Sequence, residues 1–295
     1  MIELGRLGLG TAPLGGLYAT VDDETAHRVV ERAWELGIRT FDTAPYYGSG
    51  LAERRLGAAL AGRDRDEYVV STKVGRLLRP GDPGEWHDAP ELEAYFDFSF
   101  DATLRSLEQS LERLGLDRVD VALVHDPDEH CAEALGGAFP ALARLRDEGV
   151  VRAIGAGMNQ TEMLVRFARE ADPDCFLVAG RYTLLDRSAA DELLPLCEER
   201  GIAVVAGGVF NSGVLAGGDT YDYSRAPADV VARAHELRAV TSRHGVPLEA
   251  AALQFPLLHD AVRCVLVGCR TPEEVEQDVE LFELDLPDEL WAELR

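Results

Sequence analysis

Four residues in this chain could together move a proton: Asp42, Tyr47, Lys73 and His125. Asp42 opens the run Asp42-Thr43-Ala44-Pro45-Tyr46-Tyr47-Gly48, whose proline and glycine make a turn able to fold a tyrosine back over the residue that starts it. Lys73 and His125 each stand at the end of a short, Val-rich apolar run. A phenol titrates near about pH 10, and it becomes a usable acid or base when an ammonium stabilises its phenolate. A carboxylate would hold and keep charged that ammonium, and a neutral imidazole would orient a carbonyl or hydroxyl oxygen toward the phenol. This is the equipment of proton transfer coupled to hydride transfer, and it needs no metal. Lys73 is the only lysine in a chain that otherwise uses arginine, and arginine does not replace a compact ammonium at a tuned site. Any one of these residues alone is more often a structural group; four at neighbouring strand ends reverse that weighting.

The fold must bring such a set together, and the pattern of the chain says how. Short runs rich in Val and Ile, at 7–12, 39–44, 67–74, 119–126, 151–158, 175–181, 202–209 and 264–269, read as strands. They alternate with amphipathic stretches at 23–36, 51–61, 100–114, 133–148, 162–170, 189–200, 228–244 and 272–282. Two further helices are expected near 248–258 and 287–294. Gly37, Gly115, Gly149 and Gly201 stand where helices end ahead of the next strand, and supply left-handed caps. Eight such units predict an α/β fold, a single-domain (β/α)8 barrel of the TIM type over residues 1–295. A doubly wound sheet is the competing arrangement, but no GxGxxG opens the first helix or follows a later strand. On a parallel barrel the carboxyl ends of the strands converge on one mouth, and Asp42, Lys73 and His125 close the second, third and fourth strands. Two long connections, 75–99 and 210–227, follow the third and seventh strands and so lie on that same face.

Composition narrows the partners. A formal net charge of −24 argues against nucleic acid and anionic membranes, and leaves a bound dinucleotide dependent on local geometry. No apolar run reaches the roughly 20 residues of a bilayer span, and the start of the chain lacks the basic-then-apolar pattern of an export signal, so a cytoplasmic location is expected. Cys131, Cys175, Cys197, Cys264 and Cys269 show no CxxC pairing and read as reduced and structural. A rival reading takes His125, Asp126, Asp128, His130 and Cys131 as metal ligands. Asp126-Pro127-Asp128 looks instead like turn chemistry, and no second ligand cluster stands at strand ends one, five or six, so no metal is expected. Nothing in the sequence sets an oligomeric state.

Phe41-Asp42-Thr43-Ala44 with Tyr47-Gly48, Ser71-Thr72-Lys73 and Val124-His125-Asp126-Pro127 resemble the signatures of the aldo-keto reductase family, over nearly the whole chain. The resemblance implies that Asp42, Tyr47, Lys73 and His125 form a catalytic tetrad, that Tyr46 is a neighbour rather than the acid, and that the cofactor is NAD or NADP. Gly155-Ala156-Gly157-Met158-Asn159-Gln160 and Gly207-Gly208-Val209-Phe210-Asn211-Ser212-Gly213 are similar to the branch holding aldose 1-dehydrogenases of the L-fucose and D-threo-aldose type, with pyridoxal 4-dehydrogenases close by. That branch implies oxidation of an aldose at C1 to a lactone by hydride transfer to nicotinamide. Pyridoxal oxidation and general aldehyde reduction are alternatives. An alternative of another class is a cofactor-sensing regulatory subunit without turnover, because family members on ion channels keep the barrel and the site.

On the same resemblance the cofactor would lie along Gly10, Thr11, Asn159, Gly207, Phe210, Asn211, Gly213, Leu215, Gly268, Arg270, Thr271, Gln277 and Asp278. The common family pattern has Ser-Asn, Gln and a stacking Tyr at the ends of strands five, six and seven; Met158, Ala179 and Gly207 stand near those places here. Asn159 is the candidate for the nicotinamide carboxamide, since an amide both donates and accepts, and Phe210 would replace the stacking tyrosine. Asn159 and Asn211, the only asparagines, stand close to glycines, so a turn role competes for both. Gly268-Cys269-Arg270-Thr271-Pro272-Glu273-Glu274 reads as a capped helix start, with Thr271 as N-cap, Pro272 first and Glu274 closing a capping box. Helix amino termini with free amides bind phosphate. A lone Arg270 beside Glu273, Glu274 and Glu276 is poor equipment for a 2′-phosphate, which favours NAD over NADP. For the small-molecule substrate, the connection 75–99 brings Trp86, His87, Tyr95 and Phe96, and Tyr18 follows strand one, an aromatic wall suited to a sugar or an aldehyde. About six residues precede strand one, where the family carries a β-hairpin that plugs the barrel; the hairpin is reduced here or the start codon is misplaced.

Overall fold

The computed structural model describes residues 2–294. Eight parallel strands, Leu7–Gly10, Thr40–Asp42, Val69–Val74, Val121–His125, Ala153–Met158, Cys175–Ala179, Ala203–Gly207 and Val262–Gly268, follow one another around a closed barrel. Closure is made by the first strand, which pairs with the last through Leu7 and Val265 and with the second through Gly10 and Asp42. This excludes the doubly wound alternative. Seven strands fall inside the expected ranges and the eighth begins two residues earlier.

Each barrel strand is buried on both sides, which is why its sequence is a continuous apolar run rather than an alternation. Ala122, Val124, Phe176, Val178, Val204 and Val265 pack outward in one cluster with the helices, while Val121, Leu123, Cys175, Leu177, Val205 and Leu266 form a separate cluster in the lumen. Ile2 is buried against the lumen set, and residues 2–6 form no strand, so no hairpin precedes the first strand among the described residues. A cavity of about 870 Å³ opens at this amino-terminal end, around Gly5, Arg39 and Val262, and none of the four proton-transfer candidates lines it. The five cysteines are buried and free. Among the described residues no helix is long and apolar enough to cross a membrane.

The helices begin where the local chemistry allows. Asp22 accepts from the Thr25 amide at 2.7 Å to cap Asp23–Glu35, and Ser99 caps Phe100–Leu114. The expected helix 133–148 contains a π-helical stretch at Ala134–Ala138, where Gly137 lets the backbone approach the Phe98 carbonyl. One assignment changes place. The seventh ring position goes to Leu248–Gln254, whose Leu248, Ala250, Ala251, Ala252 and Leu253 are all buried and which packs on Pro272–Phe282. Ala228–Arg243, read from the sequence as the helix of the seventh unit, buries only Ala234, Leu237 and Thr241 and lies outside it, against Asp288–Leu294. Both long connections also contain antiparallel pairs: Arg76–Pro80 with Leu92–Phe96, and Thr220–Tyr221 with Ser224–Arg225.

Strands five and six approach so closely that a Cβ on Gly155 would lie 1.6 Å from the Cys175 carbonyl oxygen. Gly155→Ala is therefore expected to destabilise the protein by about 3 kcal/mol, read as a lower urea midpoint. A midpoint equal to that of the parent would show that the two strands can part without loss.

Candidate active site

Strand register sets the positions from which the four candidates reach one another. Asp42 faces Ser71 on the third strand, Lys73 faces Leu123 on the fourth, and His125 faces Gly157 on the fifth. Lys73 donates to Asp42 Oδ2 at 2.6 Å, to the Thr43 carbonyl at 3.0 Å and to the Tyr47 hydroxyl at 3.0 Å. All three ammonium protons thus have acceptors on a side chain that is 1% exposed. Tyr47 arrives through the turn expected after Asp42: its amide bonds to the Ala44 carbonyl, and Gly48 takes φ +60. A side chain at Gly48 would strike the Gly15 carbonyl at 2.3 Å, so this glycine lets the first and second βα loops touch. The Tyr47 and His125 rings stand edge to face, with centroids 5.8 Å apart.

Burial and charge oppose one another at each group. Burial works against the Lys73 charge, but the Asp42 carboxylate and the Tyr47 oxygen outweigh it and hold the ammonium above the ordinary lysine range. Burial drives the His125 imidazole well below its usual pKa, with Arg76 and Lys73 adding to the effect, so the ring is neutral. Tyr47 corrects an expectation. The lysine was expected to lower its pKa, yet burial raises it above the ordinary phenol, Lys73 pulls it down and Asp42 pushes it up. The ammonium moderates a penalty that sequence does not reveal, and Tyr47 rests as a protonated acid.

The aromatic wall differs from the one expected. Trp86 is buried and meets Tyr46 edge-on at 5.1 Å and Tyr47 at 5.9 Å. Tyr46, expected only as a neighbour of the acid, donates to Glu85 at 3.1 Å and takes part in the wall. Tyr18 is 53% exposed and reaches the strand-seven loop beside Ser212. Tyr95 turns instead to Arg79, Phe96 stacks on Phe98, and the side chain of His87 is exposed, because the hairpin Arg76–Pro80 with Leu92–Phe96 aims them elsewhere.

Sequence reasoning missed an ion pair beside the tetrad. Arg76 donates to Asp126 Oδ2 at 2.5 Å, and its guanidinium lies 4.4 Å from the Tyr46 ring centre and 4.9 Å from that of Phe96. Asp126 sits at φ +43, and its Oδ2 is 3.6 Å from His125 Nε2. Its adjacency to His125 was the one available signal. Among the described residues, the non-glycine residues at positive φ are Tyr18, Ser49, Asp88, Asp126, Asn211, Ser212, Asp222 and Tyr223, all in loops that follow barrel strands. The rival metal set disperses: His130 turns to Glu133 at 2.8 Å and Cys131 is buried apart. Among the described residues no three His, Cys, Asp or Glu side chains are placed to share a metal.

The expected cofactor residues divide into those left open and those already engaged. Thr11 Oγ1 and His125 Nδ1, at the ends of strands one and four, and Asn211 Oδ1, in the turn beyond strand seven, are buried with no partner among the described residues, and so are free to meet a polar ligand. Gly10, Gly207 and Gly268 end strands one, seven and eight, and Gly213 takes φ +106 in the loop beyond. Asn159 Nδ2 donates to the Ala179 carbonyl at 2.8 Å, which fixes its amide plane and leaves its oxygen free. Phe210 packs against the core, and Leu215 is fully buried with its amide bonded to the Phe210 carbonyl. Thr271 caps Pro272–Phe282 as expected, but Glu274 reaches the Arg270 amide at 2.6 Å rather than that of Thr271. Glu274 also takes the Arg270 guanidinium at 3.0 Å. Gln277 is exposed, and burial pushes the Asp278 carboxyl up to about 6, where it accepts from Cys269 Sγ. Of the expected set, Thr11, Asn159 and Asn211 keep a polar atom free for a ligand, whereas Phe210, Leu215, Arg270 and Asp278 are engaged with the protein itself.

A model of the aldo/keto reductase family matches residues 6–295. A D-threo-aldose 1-dehydrogenase of Pseudomonas sp is 46% identical, across 99% of this chain and 94% of its own length. A pyridoxal 4-dehydrogenase of Microbacterium luteolum is 44% identical, across 100% and 94%. Among solved structures, an aldo-keto reductase from Bacillus halodurans in its holo form superposes with a TM-score of 0.78 at 26% identity, covering 99% of this chain and 94% of that one.

Replacing Lys73 by methionine tests the electrostatic balance. Burial already pushes the Asp42 carboxyl up, with Lys73 opposing, so without the ammonium Asp42 takes up a proton on folding. A carboxyl raised above its unfolded value favours folding below that value and loses the advantage as pH rises. Lys73→Met is therefore expected to be about 3–5 kcal/mol less stable than the parent at neutral pH, with the deficit shrinking in acid. Denaturant midpoints of both proteins at several pH values measure this, and a pH-independent deficit would remove Asp42 from the account.

Proposed function

Because the chain belongs to the aldo/keto reductase family, whose oxidoreductases use a nicotinamide cofactor, we propose that it oxidises an aldose of the L-fucose or D-threo-aldose type at C1 to a lactone, with NAD preferred. The observation that carries this reading is the Lys73 ammonium held between Asp42 and the Tyr47 hydroxyl beside a neutral His125. A cyclic sugar places its anomeric hydroxyl between the Tyr47 oxygen and the His125 imidazole, which orients it by a hydrogen bond. The bound nicotinamide supplies the two-electron acceptor for the C1 hydrogen. Tyr47, as phenolate, takes the hydroxyl proton while the carbon–oxygen double bond forms, and Lys73 stabilises the phenolate that starts the step. In the reverse direction the protonated Tyr47 donates to the carbonyl oxygen. Asn159, Thr11 and Asn211 are proposed to hold the nicotinamide half, and the amides at the start of Pro272–Phe282 the adenosine end. The ion pair that Glu274 makes with Arg270 leaves that arginine poorly free for a 2′-phosphate, which supports NAD.

Pyridoxal is a second reading, favoured by the 44% identical relative and by the flat faces of Trp86 and Tyr46. Aldoses and pyridoxal both close into cyclic hemiacetals, so one proton-and-hydride step would give a lactone from either. Initial rates with L-fucose, D-arabinose, L-galactose and pyridoxal, each with NAD and with NADP, separate these readings. A sugar should be the faster substrate and NAD the better acceptor. Turnover of pyridoxal alone would replace the aldose reading, and cofactor binding without any turnover would favour a regulatory subunit.

The raised Tyr47 pKa sets the pH dependence. Oxidation needs the phenolate, so its rate is expected to climb as pH rises into the alkaline range, while reduction, which needs the phenol, falls over the same range. Tyr47→Phe is expected to lower kcat by about 10²–10⁴-fold and to leave cofactor binding in place. A variant as fast as the parent would reject the assignment.

A further inference from the structure

We propose that Asp126, held in place by Arg76, is the group that recognises the hydroxyl next to the reacting carbon, and so selects polyhydroxylated substrates over plain aldehydes. The inference rests on the aldose reading above and deepens it.

Three observations lead to it. The Arg76 guanidinium lies against the rings of Tyr46 and Phe96 on a side chain that is mostly buried, which limits its freedom to leave Asp126. Its bond at 2.5 Å takes Oδ2 of Asp126, while Oδ1 has no partner among the described residues on a side chain that is 25% exposed. The carboxylate thus presents an open acceptor at the mouth while its other oxygen is anchored. Asp126 also occupies left-handed backbone, at φ +43 immediately after His125, a conformation that costs free energy and persists where surrounding structure holds it.

Geometry says which hydroxyl it would meet. His125 Nε2 lies 3.6 Å from the anchored oxygen, Asp126 Oδ2, too long for a hydrogen bond, so the carboxylate stands beside the imidazole and its open oxygen, Oδ1, would address an oxygen neighbouring the one held by His125. With the C1 oxygen between Tyr47 and His125, a sugar bound with C2 toward Asp126 would bring its C2 hydroxyl to that carboxylate. A hydroxyl donates to a carboxylate strongly, and burial strengthens the bond. A simple aldehyde or a deoxy sugar offers no such donor, and its binding would leave the carboxylate partly desolvated and unpaired, so discrimination comes from rejection as much as attraction.

The test compares D-arabinose with 2-deoxy-D-ribose, which differ only at C2, using the full-length enzyme, Asp126→Ala and Asp126→Asn. The parent should favour D-arabinose. Asp126→Ala should lower kcat/KM for D-arabinose by about 10- to 100-fold, mainly through KM, and bring the ratio between the two sugars close to one. Asp126→Asn keeps the size and one acceptor oxygen and should retain part of the ratio, which guards against a variant that fails to fold. Equal losses on both sugars, expressed in kcat, would make Asp126 a support for His125 and overturn the proposal, as would an unchanged ratio. In either case the aldose reading stands. A parent enzyme that reduces benzaldehyde but oxidises neither sugar would instead remove the aldose reading, and this inference with it.

Discussion

An ammonium taken out of water is tolerable when each of its protons finds an acceptor, and at Lys73 the acceptors are Asp42, the Thr43 carbonyl and the Tyr47 hydroxyl. Meeting that condition constrains much of the molecule. The second and third strands must keep their register so that Asp42 and Lys73 stand near enough to pair. The turn after Asp42 must be tight enough to return Tyr47, which requires the first two βα loops to touch at Gly15 and Gly48. The lumen beneath must be dry, and Leu123, Leu177, Val205 and Leu266 make it so. The charge arrangement at the mouth is thus a consequence of how the barrel fills its own interior.

The same burial assigns the other two groups their resting states. It holds the Tyr47 phenol protonated and the His125 imidazole neutral, so the buried tetrad contains two uncharged groups beside one ion pair. In a chain of net charge −24, buried polar atoms without a partner among the described residues stand at Thr11, close to the end of the first strand, and at His125, which ends the fourth. The acidic surface and the polar mouth serve different ends, the first colloidal and the second chemical.

Much of this was legible in the sequence, and the limits have physical causes. The tetrad could be found because strand ends on a parallel barrel converge whatever the loops do, so Asp42, Lys73 and His125 needed only the strand assignment. The strands themselves were legible as apolar runs bounded by glycine caps. Helical periodicity does not say which of two successive helices lies in the ring, and Ala228–Arg243 and Leu248–Gln254 were exchanged for that reason. The wall failed in part because an unseen hairpin decides which of its aromatics face inward: Tyr95 and Phe96 turned away, and Tyr46 entered. The Arg76 pairing with Asp126 depends on the same hairpin. The direction of the Tyr47 shift was misjudged because degree of burial is a property of three dimensions.

Left-handed backbone divides the barrel into two kinds of turn. At helix ends it is carried by glycines such as Gly37, Gly115 and Gly201, where no side chain is wanted. In the loops that follow strands it is carried also by Tyr18, Asp126, Asn211, Ser212 and Tyr223, at roughly 1 kcal/mol or more apiece. Thermostabilising campaigns that relax unfavourable dihedrals would be drawn to these very positions, and each gain in heat tolerance would erase a side chain from the reactive face.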